Sequence, residues 1–322
     1  MSKEQVCMKK TSIGCQALIE GVMMRGPQRT AMAVRHTSGE IRMESWDNPV
    51  NKRWAITKWP LVRGIFNFID SLRFGYKCLM RSAELSGLEE ELEDAMEEGE
   101  EKKPAAETKE KASAMMNAVM VVGMVLGVVL SVVLFIFLPT LLCNWLGKLW
   151  SPLSNSYLRA VLEGILRLTI FLGYMVAVSR MKDIRRTFQY HGAEHKTIFC
   201  YEKGLPLTVE NVREQSRFHP RCGTSFLVLM LLVGIVISML IPIAHPVWRT
   251  AIKLLLLPLT VGAGYELIKL AGRKDNAFTR IVSTPGLWMQ RLTTIEPDDG
   301  MIECAIRAME EVIPADPEAD KW

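Results

Sequence analysis

Two long stretches without a charged residue dominate the hydrophobic pattern of the chain. Residues 118–142 and 224–244 are uncharged and mostly apolar, whereas the segments beside them carry many charges. A helix needs about 20 apolar residues to cross the hydrocarbon core of a bilayer. Both stretches are therefore predicted to be membrane-spanning helices.

Two further stretches are apolar but contain charged residues. Residues 157–179 include Glu163 and Arg167, which are four positions apart and can pair on one helix face, away from lipid. Residues 251–271 have a lysine near each end, where a long side chain can reach the membrane surface, and contain Glu266 towards one end. With these two stretches, the chain is predicted to be a mainly α membrane protein with about four transmembrane helices.

The segments around the spans differ in composition and divide the chain. The predicted segments are an N-terminal cytoplasmic unit at 1–59, an amphipathic helix at 60–88, an acidic linker at 89–117, transmembrane helices one and two at 118–179, a cytoplasmic loop at 180–223, transmembrane helices three and four at 224–271, and a cytoplasmic C-terminal segment at 272–322. In the N-terminal unit, strand-like residues at 31–36 and 41–45 flank a Thr-Ser-Gly turn, which predicts a β-hairpin. The amphipathic helix either lies on the membrane surface or packs on a domain.

Charge and cysteine content narrow the function classes. The net charge of +4 is too small to indicate a nucleic-acid-binding surface, and the basic residues lie beside the apolar runs. The connection after the second span is rich in lysine and arginine, and those after the first and third are poor in them. The positive-inside rule therefore predicts a multi-pass protein of the cell membrane with both termini in the cytoplasm. The seven cysteines form no CxxC pair, which argues against a disulfide framework.

The clearest chemical pattern lies in the segment 180–223. His191 and His195 enclose Glu194 in an H-x-x-E-H pattern. Residues four positions apart on a helix share a face, so both imidazoles can bind one divalent metal ion, with zinc as the expected ion. Glu194 adjoins this face and is predicted to be a general base, as the glutamate is in zinc hydrolases with this pattern.

Two different sets of residues can complete such a site. Glu266 would give an open, catalytic site in which water is the remaining ligand, whereas His219 and Cys222, in an H-x-x-C pattern, would give a closed, structural one. A third interpretation is that the histidines are ordinary hydrogen-bonding residues at a membrane surface. Glu20 and Arg25 are natural additions to a shared site if the N-terminal unit packs over it.

Several blocks of the sequence resemble one bacterial family. The blocks are GCQALIEGVMMRGP (14–27), YHGAEHKTIFCYE (190–202), HPRCGTSF (219–226), GYELIKLAGR (264–273) and PGLWMQRLTTIEP (285–297). They resemble the YqhQ family of bacterial multi-pass membrane proteins, whose function is unknown and which are described as predicted metal-dependent enzymes. The resemblance implies a cytoplasmic-membrane location. By motif position it points to the residues already named: His191, Glu194, His195, His219, Cys222 and Glu266.

The leading functional hypothesis is a metal-dependent hydrolase embedded in the membrane, with its site at the cytoplasmic boundary. Besides the lipid bilayer, its partner would be a substrate that is a membrane-protein segment or a lipid-linked molecule. The alternative is a non-enzymatic membrane scaffold or assembly factor with a structural metal site. A transporter would need polar groups through the bilayer, and only Glu163, Arg167 and Glu266 qualify. Substrate, metal identity and oligomeric state stay open at this stage.

Overall fold

The protein is mainly helical and begins with a small β-sheet. The computed structural model describes residues 10–49, 57, 59–87, 122–149, 155–220, 222–241, 243, 245–273, 277–316 and 318–320. The acidic linker predicted at 89–117 lies outside these residues. The mainly α class and the small N-terminal β-containing unit are confirmed.

Four antiparallel strands, paired in sequence order, form the N-terminal sheet. They are β1 (Gly14–Leu18), β2 (Gly21–Arg25), β3 (Arg29–Arg35) and β4 (Ile41–Asp47). The predicted hairpin is formed by β3 and β4, in which Arg35 lies opposite Ile41. The turn between them contains Gly39 at a φ of 89°, a conformation that glycine adopts without strain. Local turn chemistry therefore predicted this part of the sheet correctly.

Both faces of the sheet are buried, which explains why β2 and β3 are apolar at consecutive positions. Successive side chains of a strand point to opposite faces. Met23 and Met32 pack on one face in a cluster that includes Cys78 of the first helix. Val22 and Ala33 belong to a second cluster on the other face, which is completed by two later helices. The sheet is thus the middle layer between helices.

Ten helices follow the sheet in the described part of the chain. They are α1 (Val62–Ser86), α2 (Val122–Leu149), α3 (Ser156–Val178), α4 (Lys182–Glu202), α5 (Val209–Arg213), α6 (Gly223–Met239), α7 (Pro246–Leu255), α8 (Leu257–Arg273), α9 (Ala277–Thr293) and α10 (Asp299–Glu310). The helix predicted at 60–88 corresponds to α1. Because α1 packs against the sheet and α8, its apolar face is covered by protein along at least part of its length.

Two helices, α2 and α3, are long and apolar enough to cross a membrane. The helices α7 and α8 pass the same test only as a pair, and the two are bent by 50° relative to each other. The apolar α6 has 17 residues, fewer than the about 20 that span a hydrocarbon core. The described residues therefore contain two candidate spans, or three if the bent pair is one span, where the sequence predicts about four.

The bend between α7 and α8 corrects the prediction of one continuous helix at 251–271. Pro258 is the second residue of α8. Proline has no amide hydrogen, so the hydrogen bond to the carbonyl four residues earlier is lost and the helix breaks. A hydropathy window counts apolar residues and does not register this break.

The connection predicted as a loop at 180–223 is mostly helical. It contains the 21-residue helix α4 and the short helix α5. The helix α4 packs on β1, on α5 and on the C-terminal helix α10. The H-x-x-E-H pattern therefore lies on a helix, as its proposed chemistry requires.

Candidate metal centre

The helix α4 is wedged between the N-terminal sheet and the C-terminal part of the chain. Tyr190 and Ala193 are fully buried in the core that α4 shares with the sheet and α10. At Gly192, an added Cβ would overlap the carbonyl oxygen of Ile295. Glycine weakens a helix by about 1 kcal/mol relative to alanine, so close packing, and not helix propensity, accounts for this residue. The packing fixes the direction of the adjacent histidines.

His191, His195 and Cys222 come together at one point. Their nearest ligand atoms all lie within 4.8 Å of one another. The Nε2 atom of His191 is 3.2 Å from Sγ of Cys222, close to the about 3.6 Å expected between a nitrogen and a sulfur that bind one tetrahedral zinc ion. His191 and His195 lie in the middle of α4, and Cys222 lies at the start of α6, so the sequence spacing alone did not determine this meeting.

Both histidines are oriented by backbone carbonyl groups. Nδ1 of His191 lies 2.8 Å from the carbonyl oxygen of Thr293, and Nδ1 of His195 lies 2.6 Å from that of Arg217. A carbonyl oxygen only accepts hydrogen bonds, so in each ring Nδ1 carries the proton. In the neutral form of each ring, Nε2 then has a lone pair for a metal ion. Metal-binding histidines commonly have this arrangement.

Cys222 caps the N-terminus of α6. Its sulfur accepts a hydrogen bond from the amide of Thr224 at 3.5 Å and another from the hydroxyl of the same residue at 3.3 Å. The N-terminus of a helix carries partial positive charge, which is favourable for a thiolate ligand. The position of Cys222 therefore suits metal binding as well as helix capping.

The two histidines of the site differ in exposure to solvent. The imidazole of His195 is 1% exposed, whereas His191 is half-buried. Burial lowers the pKa of His195 below its usual value, because the charged form is poorly solvated there. The neutral form that binds metal is therefore favoured at this position.

His219 lies beside the cluster but has other partners. Its Nε2 is 3.6 Å from a carboxylate oxygen of Glu202, and its ring packs on Phe199 at 4.6 Å between centroids. Its backbone amide donates to the side chain of Gln290 at 2.8 Å. The described ligand group therefore includes the cysteine of the H-x-x-C pattern without its histidine.

Glu266 is not brought to the cluster. Its carboxylate is held by the guanidinium of Arg63 in α1, with Nε donating to one oxygen at 2.6 Å. A second bond joins the other oxygen to the same guanidinium. The open site predicted with Glu266 as a ligand is therefore not assembled in this structure, since the carboxylate is engaged in a bidentate ion pair.

Glu194 points from α4 towards the sheet. Its carboxyl group is 3% exposed and is hydrogen-bonded to Cys15 of β1. Burial raises the pKa of this carboxyl group above its usual value, and the nearby His191 and the bond to Cys15 lower it in part. One oxygen, Oε2, has no hydrogen-bond partner among the described residues. Glu194 thus adjoins the ligands in sequence but contacts the N-terminal unit.

Glu20 and Arg25 do not enter the group of ligand residues. The carboxylate of Glu20, at the turn between β1 and β2, pairs with Arg186 of α4. The guanidinium of Arg25 lies 4.8 Å from the ring centre of Phe74. The Glu20 pair attaches the sheet to the histidine-bearing helix, so the N-terminal unit does pack beside the centre.

Several residues that shape the centre gave no interpretable signal in the sequence. Thr293 and Arg217 act through backbone carbonyl groups, which every residue has. Gln290 is fully buried and binds both the amide and the carbonyl of His219. The only indication in the sequence was a glutamine on the apolar face of α9, which suggests a buried hydrogen-bond partner. Its position in the sequence does not identify that partner.

Comparison with known proteins places the chain in a family. A family model described as "Protein of unknown function (DUF1385)" matches residues 59–315. The chain belongs to this family. The DUF1385 region contains all of the predicted ligand residues, and the β-sheet precedes it.

A curated relative extends the similarity of this DUF1385 member beyond that region. "Uncharacterized protein YqhQ" of Bacillus subtilis (strain 168) is 36% identical over 319 residues, which are 97% of this chain and 95% of the relative. The resemblance to the YqhQ family is therefore confirmed. No solved structure matches the chain.

Proposed function

We propose that the protein binds one divalent metal ion, zinc, through Nε2 of His191, Nε2 of His195 and Sγ of Cys222. The hydrogen bonding of the two imidazoles carries the proposal. Each donates from Nδ1 to a backbone carbonyl oxygen and keeps Nε2 available beside the cysteine sulfur. Two imidazoles and a thiolate suit zinc, whereas magnesium and calcium prefer oxygen ligands.

The number of ligands favours an enzyme. Three protein ligands with one further position is the arrangement of catalytic zinc sites. The other two residues that could close the site are engaged, His219 with Glu202 and Glu266 with Arg63. A divalent ion held there would supply Lewis-acid activation of a substrate and of a water molecule. A metal-dependent hydrolase is therefore the leading proposal.

Within this proposal, Glu194 is the general base. It lies three positions after His191 and directly before His195 on α4, and its buried Oε2 atom has no hydrogen-bond partner among the described residues. A Glu194→Gln variant should keep the metal and lose turnover. A variant with unchanged turnover would remove this residue from the mechanism and leave the metal site intact.

The membrane location is part of the same proposal. The helices α2, α3, α6 and the bent α7–α8 pair would make a multi-pass protein of the cell membrane with both termini in the cytoplasm. Because α4 begins soon after α3 and Cys222 directly precedes α6, the centre would lie at the cytoplasmic boundary. A membrane-protein segment or a lipid-linked molecule would be the substrate that reaches it.

A structural role is the second candidate, because the ligands connect different parts of the fold. His191 and His195 belong to α4 and Cys222 caps α6, while the carbonyl of Thr293 at the end of α9 accepts a hydrogen bond from His191. An ion at this point would hold the cytoplasmic helices on the apolar ones, as expected for a scaffold or assembly factor. Removing a structural metal would then unfold this part of the chain.

Metal analysis of the purified full-length protein tests the site itself. Wild type should carry about one zinc ion per chain, and His195→Ala and Cys222→Ser should lower this content at least about tenfold. Cys200→Ser is the matched control, since Cys200 is a buried cysteine of α4 outside the ligand group. A wild type without metal after reconstitution with zinc, or a Cys222→Ser variant with full metal content, would exclude the proposed centre.

Cobalt substitution separates the two candidate roles without a known substrate. In an open site, added thiocyanate can bind the cobalt ion and change its visible absorption spectrum. In a closed site, the spectrum stays unchanged. A spectral change would support the enzyme, and a constant spectrum together with metal-dependent unfolding would support the scaffold.

A further inference from the structure

A second charged cluster lies among the apolar helices, away from the metal centre. Glu163 of α3 is 1% exposed and accepts a hydrogen bond from Nε of Arg249 at 3.0 Å. Arg167 lies 3.5 Å from the same carboxylate, and the ammonium group of Lys253 contacts it directly. One buried carboxylate is therefore shared by three basic side chains. The cluster has a formal excess of two positive charges.

The three basic side chains differ in how completely they are hydrogen-bonded. Arg249 also donates to the backbone carbonyls of Ser238 and Ile243, at 3.1 Å each. The hydrogen-bond donors of Arg249 are thus used within the fold. Nε of Arg167, by contrast, has no hydrogen-bond partner among the described residues, although its side chain is only 11% exposed. A buried charged group with unused donors is costly unless another anion binds it.

Arg167 and Lys253 both line a cavity of about 660 Å³ between α2, α3, α6, α7 and α8. No aspartate or glutamate is among the described residues that line it. The remaining wall is mostly apolar and includes Val128, Phe171 and Leu231. One part of the cavity thus presents positive charge, and the rest presents hydrocarbon.

We propose that this cavity binds an anionic membrane lipid through its phosphate headgroup, because the cluster beside it carries an excess of positive charge. The phosphate oxygens would accept hydrogen bonds from Arg167 and Lys253, and an acyl chain would lie along the apolar wall. Phosphate offers the charge-assisted acceptor that Nε of Arg167 lacks among the described residues, and basic pockets between membrane helices are known to bind lipid headgroups. A free phosphate ion would satisfy the charge but would make no contact with the apolar wall. The lipid matches both parts of the cavity.

Competition between two lipids tests the proposal. The delipidated full-length protein is mixed with equal amounts of phosphatidylglycerol and phosphatidylcholine, and bound lipid is counted by native mass spectrometry. Wild type should retain the anionic lipid about tenfold more than the zwitterionic one. Arg167→Met and Lys253→Met should lose this preference. Lys148→Met, which removes an exposed lysine of α2, is the matched control and should keep it.

A change of shape without a change of charge provides an independent test. A Cβ added at Gly234 would lie 3.5 Å from Nη1 of Arg167 and 3.8 Å from Cγ2 of Thr260, so alanine fits. Gly234 lines the cavity, and Gly234→Leu should fill part of it. The leucine variant should lose the retained lipid, and Gly234→Ala should keep it, with helical content by circular dichroism showing that both fold.

Three results would overturn the lipid proposal. The first is equal retention of both lipids by wild type, and the second is an Arg167→Met variant that keeps the preference as Lys148→Met does. The third concerns the source of the phosphate. If inorganic phosphate alone raises the Tm of the lipid-free protein as much as phosphatidylglycerol does, the site takes a small anion and not a lipid.

Discussion

Arg63 in α1 donates Nε–H to a carboxylate oxygen of Glu266 in α8 at 2.6 Å. A second guanidinium nitrogen bonds the other oxygen, and the amide of Leu61 lies 3.4 Å from the first. Both carboxylate oxygens are thus used for contacts between two helices that lie far apart in the sequence. The pair holds α1 against α8, and Glu266 is not part of the group formed by His191, His195 and Cys222.

The first prediction is that Glu266→Gln keeps the metal content of wild type. The ion pair is about a quarter exposed on both sides, with 28% for Arg63 and 25% for Glu266, so its loss should cost no more than about 1 kcal/mol of unfolding free energy. Metal analysis and denaturant unfolding check the two parts. Arg63→Gln is the control and should behave alike. If Glu266→Gln loses the metal and Arg63→Gln keeps it, the carboxylate of Glu266 is a metal ligand.

The second prediction concerns Gly192, where α4 touches the segment after α9. Gly192→Ala should destabilise the protein by about 1–3 kcal/mol, because the added methyl group forces the backbone at Ile295 to move. Its metal affinity should fall as well, since the nearby carbonyl of Thr293 orients His191. Denaturant unfolding and zinc titration measure these effects.

Gly173→Ala is the matched control for Gly192→Ala. Gly173 also lies inside a helix, but nothing is within 4 Å of a Cβ added there. This variant should be neutral or stabilising by up to about 1 kcal/mol. Equal behaviour of the two variants would show that helix propensity, and not close packing, explains the glycine of the H-x-x-E-H pattern.

The parts of the fold that depend on neighbouring residues could be predicted from the sequence. The β3–β4 hairpin follows from a turn between two strand-like runs, and α2 follows from an uncharged stretch of sufficient length. The bend beside Pro258 has a local cause that a count of apolar residues does not register, whereas the burial of both sheet faces depends on packing by distant segments. Hydropathy and periodicity contain no term for such packing.

In the candidate site, too, the features set by nearby residues could be predicted and those set by distant residues could not. The pairing of His191 with His195 on one helix face follows from their spacing. His219 together with Cys222 was one of the two proposed ways to complete the site, and only Cys222 of these two belongs to the group. Glu266 was expected nearby because of its membrane depth, but its partner Arg63 is 203 positions away in the sequence. A lone sequence gives no information about which of two distant charges a carboxylate will meet.

The third prediction concerns the buried thiol of Cys304 in α10. Burial raises the pKa of this thiol to about 11, although Arg35 nearby lowers it in part. At pH 7.5 its thiolate fraction, and hence its reaction with N-ethylmaleimide, should be at least about 100-fold lower than for a free thiol with a pKa near 8.5. Peptide mapping of the labelled native protein measures this, and the urea-unfolded protein serves as the control.

The same pKa shift predicts a dependence of stability on pH. The folded state keeps the proton of Cys304 to higher pH than the unfolded state, so the stabilisation is complete below about pH 8.5 and is lost as pH rises towards 11. At pH 10 wild type should lose about 2 kcal/mol from this group relative to pH 7.5. Cys304→Ala should lose less over the same range. Identical losses for both proteins would contradict the assignment.

The fourth prediction concerns the buried carboxylate of Glu163 and its three basic neighbours. Glu163→Gln removes the single anion of the cluster and should cost about 3–5 kcal/mol, because Arg249 and Lys253 stay buried without it. Arg167→Met should cost much less, since it removes one of the surplus positive charges and a side chain whose Nε is not hydrogen-bonded among the described residues. Thermal unfolding in detergent compares the variants.

The double variant Glu163→Gln/Arg249→Met decides whether the cost arises from uncompensated charge. If it does, the double variant should be less destabilised than the sum of the single variants, because each change removes the charge that the other leaves unpaired. Strict additivity would mean that the two side chains act through packing alone. In that case the excess of positive charge beside the cavity would not affect stability. Arg167→Met would then be destabilised as much as Arg167→Lys, which keeps the charge.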